Sequence, residues 1–262
     1  MKITLVQLSP VQASDKVTDP YERAAMAIDR AADQGSRIMV LPEYWNRPLD
    51  TDDPELYADV DGKKSRALLK EKAMAHGLAI VGGSCAVKED RHFYNRSYVF
   101  GSDGRLLAQY DKAHLYSSDG PRQFTPGSEP CLFTIDGTLC GLIICYDLDF
   151  GPWIRILRER GIRLLFVVSS WPRAWHHHLR LLLRARALEN QIFVANANMT
   201  TPSLDDPDIE KGGRSSIINP LADEVLVMDQ DPGAATVDID LALVDKVRST
   251  FTFENDQRND LY

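Results

Sequence analysis

The stretch LCGLIICYDLDFGPW, residues 139–153, decides how the rest of the chain is read. Its first half is a near-continuous apolar run of strand length, as expected of a strand covered on both faces. Gly151-Pro152 then opens a helix, since proline suits a first turn whose amide hydrogens lack partners anyway. Cys145 therefore sits where a buried strand gives way to a helix. Its side chain is raised at the carboxyl edge of a sheet, with the next backbone N–H free to donate. In α/β sheets that edge is where sites form.

Working outward, the same alternation recurs almost from end to end. Residues 2–8 and 37–41 read as buried strands, separated by a helical pattern over 20–35 that Gly35 stops. A helix over 63–76 closes at Gly77, and 78–87 reads as one strand in which Gly82-Gly83 marks a bulge or a close backbone approach. Residues 94–100 and 105–110 flank Ser102-Asp103-Gly104, and 131–135 and 138–145 bracket Asp136-Gly137, so both pairs read as hairpins. A helix near 152–160, a strand at 163–169, a long helix near 174–189 and a strand at 192–198 follow. Three further strands are expected near 215–219, 224–228 and 235–239. The polar stretches 46–56 and 201–213 read as loops within the fold. Mixed sheets covered by helices are the expectation, in a single domain spanning residues 1–262.

Composition narrows the function. The 262 residues are 44% apolar and 26% charged, with 30 basic against 38 acidic side chains and a net charge of −8. A nucleic-acid partner would call for a basic footprint, and an anionic membrane surface for clustered cations, so neither is expected. No run approaches the 18 apolar residues of a membrane span, and the start MKITLVQLSPVQ lacks a signal-peptide core. The four cysteines (Cys85, Cys131, Cys140 and Cys145) form no CxxC pair. A reducing cytoplasm with free thiols is the expectation.

Two other strand ends supply what a thiol nucleophile at Cys145 would need. Glu43 lies in MVLPEYW, just past a strand too hydrophobic to suggest an acid, and Lys112 in QYDKAHLY, just past a hairpin strand. Taken singly, each fits a plain role: buried small cysteine, solvated loop carboxylate, surface cation. Together they are the three types that nucleophilic acyl transfer uses. A carboxylate takes the thiol proton, and an ammonium favours thiolate and later faces an oxyanion.

The motifs LPE at 41–43, YDKAHL at 110–115 and GLIICYD at 141–147 resemble the carbon–nitrogen hydrolase (nitrilase) superfamily. So do SSWP at 169–172, RARALENQIFVANAN at 184–198 and GRSSIINPLADEVL at 213–226, which together span nearly the whole chain. The resemblance implies a four-layer αββα sandwich with mixed sheets and a two-fold homodimer, without metal or organic cofactor. It casts Cys145 as nucleophile, Glu43 as general base and acid, and Lys112 with the Tyr146 backbone N–H as stabilisers of the tetrahedral intermediate. The implied reaction is hydrolysis of a small linear amide, an ω-amide of a dicarboxylate among the candidates, through a Cys thioester. N-carbamoyl amines or nitriles are the alternatives. A non-catalytic partner-binding protein on the same fold is the alternative from another class.

Several residues depart from the family pattern. Asp149 stands where many amidase-like members have Arg, and the second family Glu has no match before FTPG at 124–127, Asp119 being the nearest acid. Ala222 replaces a usual turn glycine, which suggests a different turn type. For a substrate carboxylate, Arg173 is the expected partner and Arg122 the reserve. Trp171, with Trp45 and Trp175, is placed to narrow the pocket, and His178 to reach it. Acids Asp50, Asp52, Asp53, Asp205, Asp206 and Asp208 are expected at its rim. His176-His177-His178 cannot chelate one ion, since consecutive helical residues point about 100° apart. His114 offers a rival Cys–His pairing with Cys145. Arg180 and Arg184 share a helix face and are expected to be solvated or to pair with acids.

Overall fold

Side-chain alternation assigns each strand to its layer. The computed structural model describes residues 1–10, 19–48, 51, 53–116, 124–201, 212–258 and 260–261. In chain order the first half contains β1 (Lys2–Gln7), α1 (Pro20–Ala32), β2 (Ile38–Val40), β3 (Asp59–Val60), α2 (Lys63–His76), β4 (Ala79–Val81), β5 (Cys85–Glu89), β6 (His92–Phe100) and β7 (Leu106–Asp111). The second half contains β8 (Cys131–Ile135), β9 (Thr138–Ile144), α3 (Gly151–Glu159), β10 (Leu164–Ser169), α4 (His176–Asn190), β11 (Phe193–Asn198), β12 (Ser216–Ile218), β13 (Glu224–Val227), β14 (Gly233–Asp238) and α5 (Ala242–Thr250).

Among the described residues, β1 to β7 and β14 form one mixed sheet, and β8 to β13 form a second in the order β13-β12-β11-β10-β9-β8. Within β9, Leu142 and Ile144 face the other sheet, where they meet Ile38 and Val40 of β2, while Ile143 faces α3 and α4. Met39 of β2 turns the opposite way, onto α1 and α2. The layers therefore run helices, sheet, sheet, helices, which is the αββα sandwich. Each buried aliphatic side chain contributes roughly 1.5–3 kcal/mol relative to exposure. A one-residue slip would swap both faces of a strand, so register is tightly set. Among the described residues no helix is long and apolar enough to cross a membrane.

The structure departs from the sequence reading in four places. Residues 78–87 are not continuous: β4 and β5 meet the same edge of β6 in succession (Val81↔Val99, then Cys85↔Arg96), interrupted at 82–84. The close approach expected at Gly83 is present, since its φ is +62° and a Cβ there would lie 2.1 Å from the Pro42 carbonyl oxygen. Helix α5 had no counterpart in the sequence reading. It is docked by Arg163, which donates to Asp245 at 2.8 and 2.6 Å and to the Leu241 carbonyl at 2.8 Å. The long helix opens as a 3₁₀ turn, Arg173–Trp175, before α4 begins. The turn at Ala222 keeps the left-handed conformation, with φ 66°, and alanine simply accepts it. Arg180 pairs with Glu224, and Arg184 donates to the Ala222 carbonyl at 2.9 Å.

Candidate active site

Glu43 reaches its place because the chain leaving β2 is pinned to both sheets. The Leu41 amide donates to the Val81 carbonyl and the Pro42 carbonyl accepts from the Ser84 amide, both within the first sheet. The Glu43 amide then crosses to the second sheet and donates to the Ser169 carbonyl at 3.2 Å. Tyr44 follows in the left-handed region at φ 55°, its amide held by the Ser84 hydroxyl at 3.1 Å. Lys112 follows β7, and its amide donates to the Asn95 carbonyl at 2.9 Å. Cys145 follows β9 at φ 48° and begins a 3₁₀ turn, Cys145–Asp149. A non-glycine residue held in that region marks a backbone that its surroundings over-determine, a pattern common at functional sites.

These three strand ends converge. Lys112 Nζ donates to Glu43 Oε1 at 3.0 Å, and both side chains are 2% exposed. Buried ion pairs are weak evidence of stabilisation, because desolvation offsets their attraction. Chemistry is the better reason for this one. The Cys145 thiol is pushed well above its ordinary value, first by burial and next by the Glu43 charge. Lys112 and the Ser170 backbone N–H pull it down, and a hydrogen bond with Glu43 raises it further. The ammonium does act toward thiolate, as expected, but burial and Glu43 outweigh it, so the resting sulfur is a thiol beside a base.

Tyr146 comes next in the turn, where the first N–H groups of a helical segment have no intrahelical partner. Its ring packs edge-on against Phe150 and Tyr116. Trp171 is half-buried, and its amide donates to Asn198 Oδ1 at 2.8 Å. Arg173 and His178 are exposed, the latter with its ring centroid 4.9 Å from that of Trp175, in contrast to the buried Glu43–Lys112 pair. Of the three consecutive histidines, His177 and His178 are exposed and His176 is half-buried. Asp149 ends the turn, its carboxyl raised by partial burial against the pull of Arg186 and His178. Asp53 caps the short helical turn Pro54–Leu56. Asp50, Asp52, Asp119, Arg122, Asp205, Asp206 and Asp208 lie outside the described residues.

His114 is not a partner for Cys145. Its Nδ1–H and its amide both donate to Asp147 Oδ1 at 2.8 Å, and its ring stacks on Phe150 at 3.8 Å. Two neighbours of the site escaped the sequence reading. Asp147 stood inside the quoted GLIICYD motif but carried no chemical signal of its own. Asn95 lies mid-strand in an ordinary hairpin, and nothing local marks it.

The model of the family described as "Carbon-nitrogen hydrolase" matches residues 2–249. A 2-oxoglutaramate amidase of Bacillus subtilis (strain 168) is 34% identical over 263 residues, covering 100% of both chains. An omega-amidase NIT2 of Homo sapiens is 32% identical over 275 residues, covering 100% of this chain and 96% of that one. The crystal structure of Saccharomyces cerevisiae Nit3, a member of branch 10 of the nitrilase superfamily, superposes with a TM-score of 0.88 at 24% identity. That match covers 100% of this chain and 97% of Nit3. The chain belongs to the carbon–nitrogen hydrolase family. It is a hydrolase acting on carbon–nitrogen bonds other than peptide bonds.

Proposed function

We propose that the protein is an amidase that hydrolyses a small linear ω-amide of a dicarboxylate through a thioester on Cys145. The observation that carries this reading is the buried Glu43–Lys112 pair set beside the Cys145 thiol. The similarity to a 2-oxoglutaramate amidase and to omega-amidases favours the ω-amide among possible substrates. Cys145 Sγ attacks the amide carbon as its proton passes to Glu43. The oxyanion that forms faces Lys112 Nζ and the Tyr146 N–H. As the C–N bond breaks, Glu43 returns the proton to the leaving nitrogen and ammonia departs. Water, deprotonated by Glu43, then attacks the thioester carbon. The C–S bond breaks, the proton goes to sulfur, and the carboxylic acid is released.

A thiol raised by its surroundings suits this order of events. Burial and the Glu43 charge disfavour thiolate, so the proton passes to Glu43 as the carbon–sulfur bond forms. Arg173 is the proposed partner of the substrate's free carboxylate. It lies three residues beyond Ser170, whose amide reaches the thiol. We read residues 1–262 as one domain working in the cytoplasm. We also read the protein as a homodimer through α4, where Leu181 and Leu188, two turns apart, stay 58% and 46% exposed.

The test is ammonia release from 2-oxoglutaramate, neutral amides, carbamoyl amines and nitriles, by wild type and Cys145→Ala. Turnover restricted to amides and lost in Cys145→Ala is expected, and substantial activity in that variant would remove Cys145 as nucleophile. Arg173→Ala should lower kcat/KM for carboxylate-bearing amides only; an equal loss on neutral amides would end its assignment. A monomer mass by light scattering at micromolar concentration would contradict the dimer.

A further inference from the structure

Asn95 lies on β6 and shares a face with Val99, within the space between the sheets, where it is 1% exposed. Two different groups of this residue hold the site together. Its backbone carbonyl accepts from the Lys112 amide at 2.9 Å, and its side-chain Nδ2 donates to Glu43 Oε1 at 2.8 Å. Lys112 Nζ donates to that same oxygen at 3.0 Å. Both donors meet on Oε1, which fixes the rotation of the carboxylate.

The rest of the Asn95 amide argues against a purely structural role. Its Oδ1 is buried and accepts no hydrogen bond among the described residues. An unmet buried acceptor disfavours the folded state, so packing alone would prefer an apolar side chain here. The hydrogen bond that the side chain does make is to Glu43.

We infer that Asn95 is a positioning residue for the base. It holds the Glu43 carboxylate in the orientation that takes the Cys145 proton and then delivers it to the departing nitrogen. Asn95 itself gains and loses no proton. The assignment rests on the proposed amide hydrolysis, in which Glu43 serves as base and then acid.

Asn95→Ala should lower kcat about 10–10²-fold, the weight of one hydrogen bond to a charged group. KM should stay within about threefold and the melting temperature close to that of wild type, because no substrate contact is lost. Asn95→Asp keeps the shape but replaces the donor with an acceptor, so its loss should be at least as large, and it reports should the alanine variant fail to fold. The coupling is read in the Glu43→Gln background, where adding Asn95→Ala should cost less than about twofold more. A kcat within threefold of wild type in both Asn95 variants overturns the inference, as does an equal loss in both backgrounds.

Alkylation of Cys145 by iodoacetamide reads the same coupling without a substrate. Asn95→Ala should change the rate several-fold when Glu43 is present and by less than about twofold in the Glu43→Gln background. Wild type that releases ammonia from no amide sinks the functional reading, while the alkylation cycle still decides for or against Asn95.

Discussion

Two buried carboxylates flank the Cys145 turn, and their surroundings differ in kind. Asp147 is 0% exposed and accepts four hydrogen bonds: Oδ1 from the His114 amide and Nδ1–H, Oδ2 from the Tyr110 hydroxyl at 2.7 Å and the Ile144 amide at 3.0 Å. Glu43 is 2% exposed; among the described residues its Oε1 accepts from Asn95 and Lys112, and the carboxylate also shares a hydrogen bond with the Cys145 thiol. Asp147 also reaches outward, since Trp153 Nε1 donates to the Tyr110 hydroxyl at 3.2 Å. It thereby ties the chain that bears Lys112 to the chain that bears Cys145. A carboxylate with every lone pair engaged is a clamp. One that shares a hydrogen bond with a thiol can trade protons with it.

That contrast breaks first on activity. Glu43→Gln keeps the shape and removes the base, so kcat should fall ~10²–10⁴-fold, measured where circular dichroism shows the variant folded. A loss of less than tenfold would take Glu43 out of the chemistry.

Asp147→Asn should act on stability instead. Its amide presents N–H groups to donors that are themselves buried, and urea denaturation should show a loss of about 2–4 kcal/mol. Folded Asp147→Asn should retain a far larger share of kcat than Glu43→Gln. An unchanged denaturation midpoint would mean that the clamp is not holding the turn.

His114→Ala tests the clamp more gently. It removes the Nδ1–H donor and the stack on Phe150 but leaves the backbone amide bonded to Asp147, so about 1–2 kcal/mol should be lost. A cost equal to that of Asp147→Asn would place the weight on the imidazole rather than the carboxylate.

The smallest effect lies in the titration of the thiol, and it sharpens the same difference. Burial and the Glu43 charge both disfavour thiolate, so alkylation of native Cys145 should keep rising with pH past the ordinary thiol range near 9. Neutralising Glu43 in Glu43→Gln removes one of those two causes and should move the midpoint down. Asp147→Asn should move it less, since Asp147 is not among the largest influences on the thiol. Cys131 and Cys140, buried and raised to about 12, should react only on unfolding.

Much of this was legible in the sequence because it depends on neighbours in the chain. The apolar run into Cys145, the prolines after β2 and at the start of α3, and the strand-end positions of Glu43 and Lys112 are local signals. Local signals survive folding when every layer of the fold agrees with them. The hairpins at Asp103-Gly104 and Asp136-Gly137 are legible for the same reason. Where the reading failed, a distant contact had intervened. Residues 78–87 look like one strand, but the Pro42 carbonyl presses in at Gly83 and the Trp45 amide takes the Ser84 carbonyl, which breaks the ladder there. Helix α5 is short and weakly patterned, and it is held by Arg163, which immediately precedes β10.

The sequence by itself determined the layers, the strand ends and the three residue types gathered there, because hydrophobic period and turn chemistry act over a few residues. Only the tertiary structure decided which groups those three residues would meet. Asn95 is 52 residues from Glu43 in the chain and Asp147 is 37 from Tyr110, and no local rule relates them. The state of the Cys145 thiol follows from the same cause. Burial between two sheets and the charge of a carboxylate from another strand outweigh the ammonium beside it, and both belong to the assembled fold.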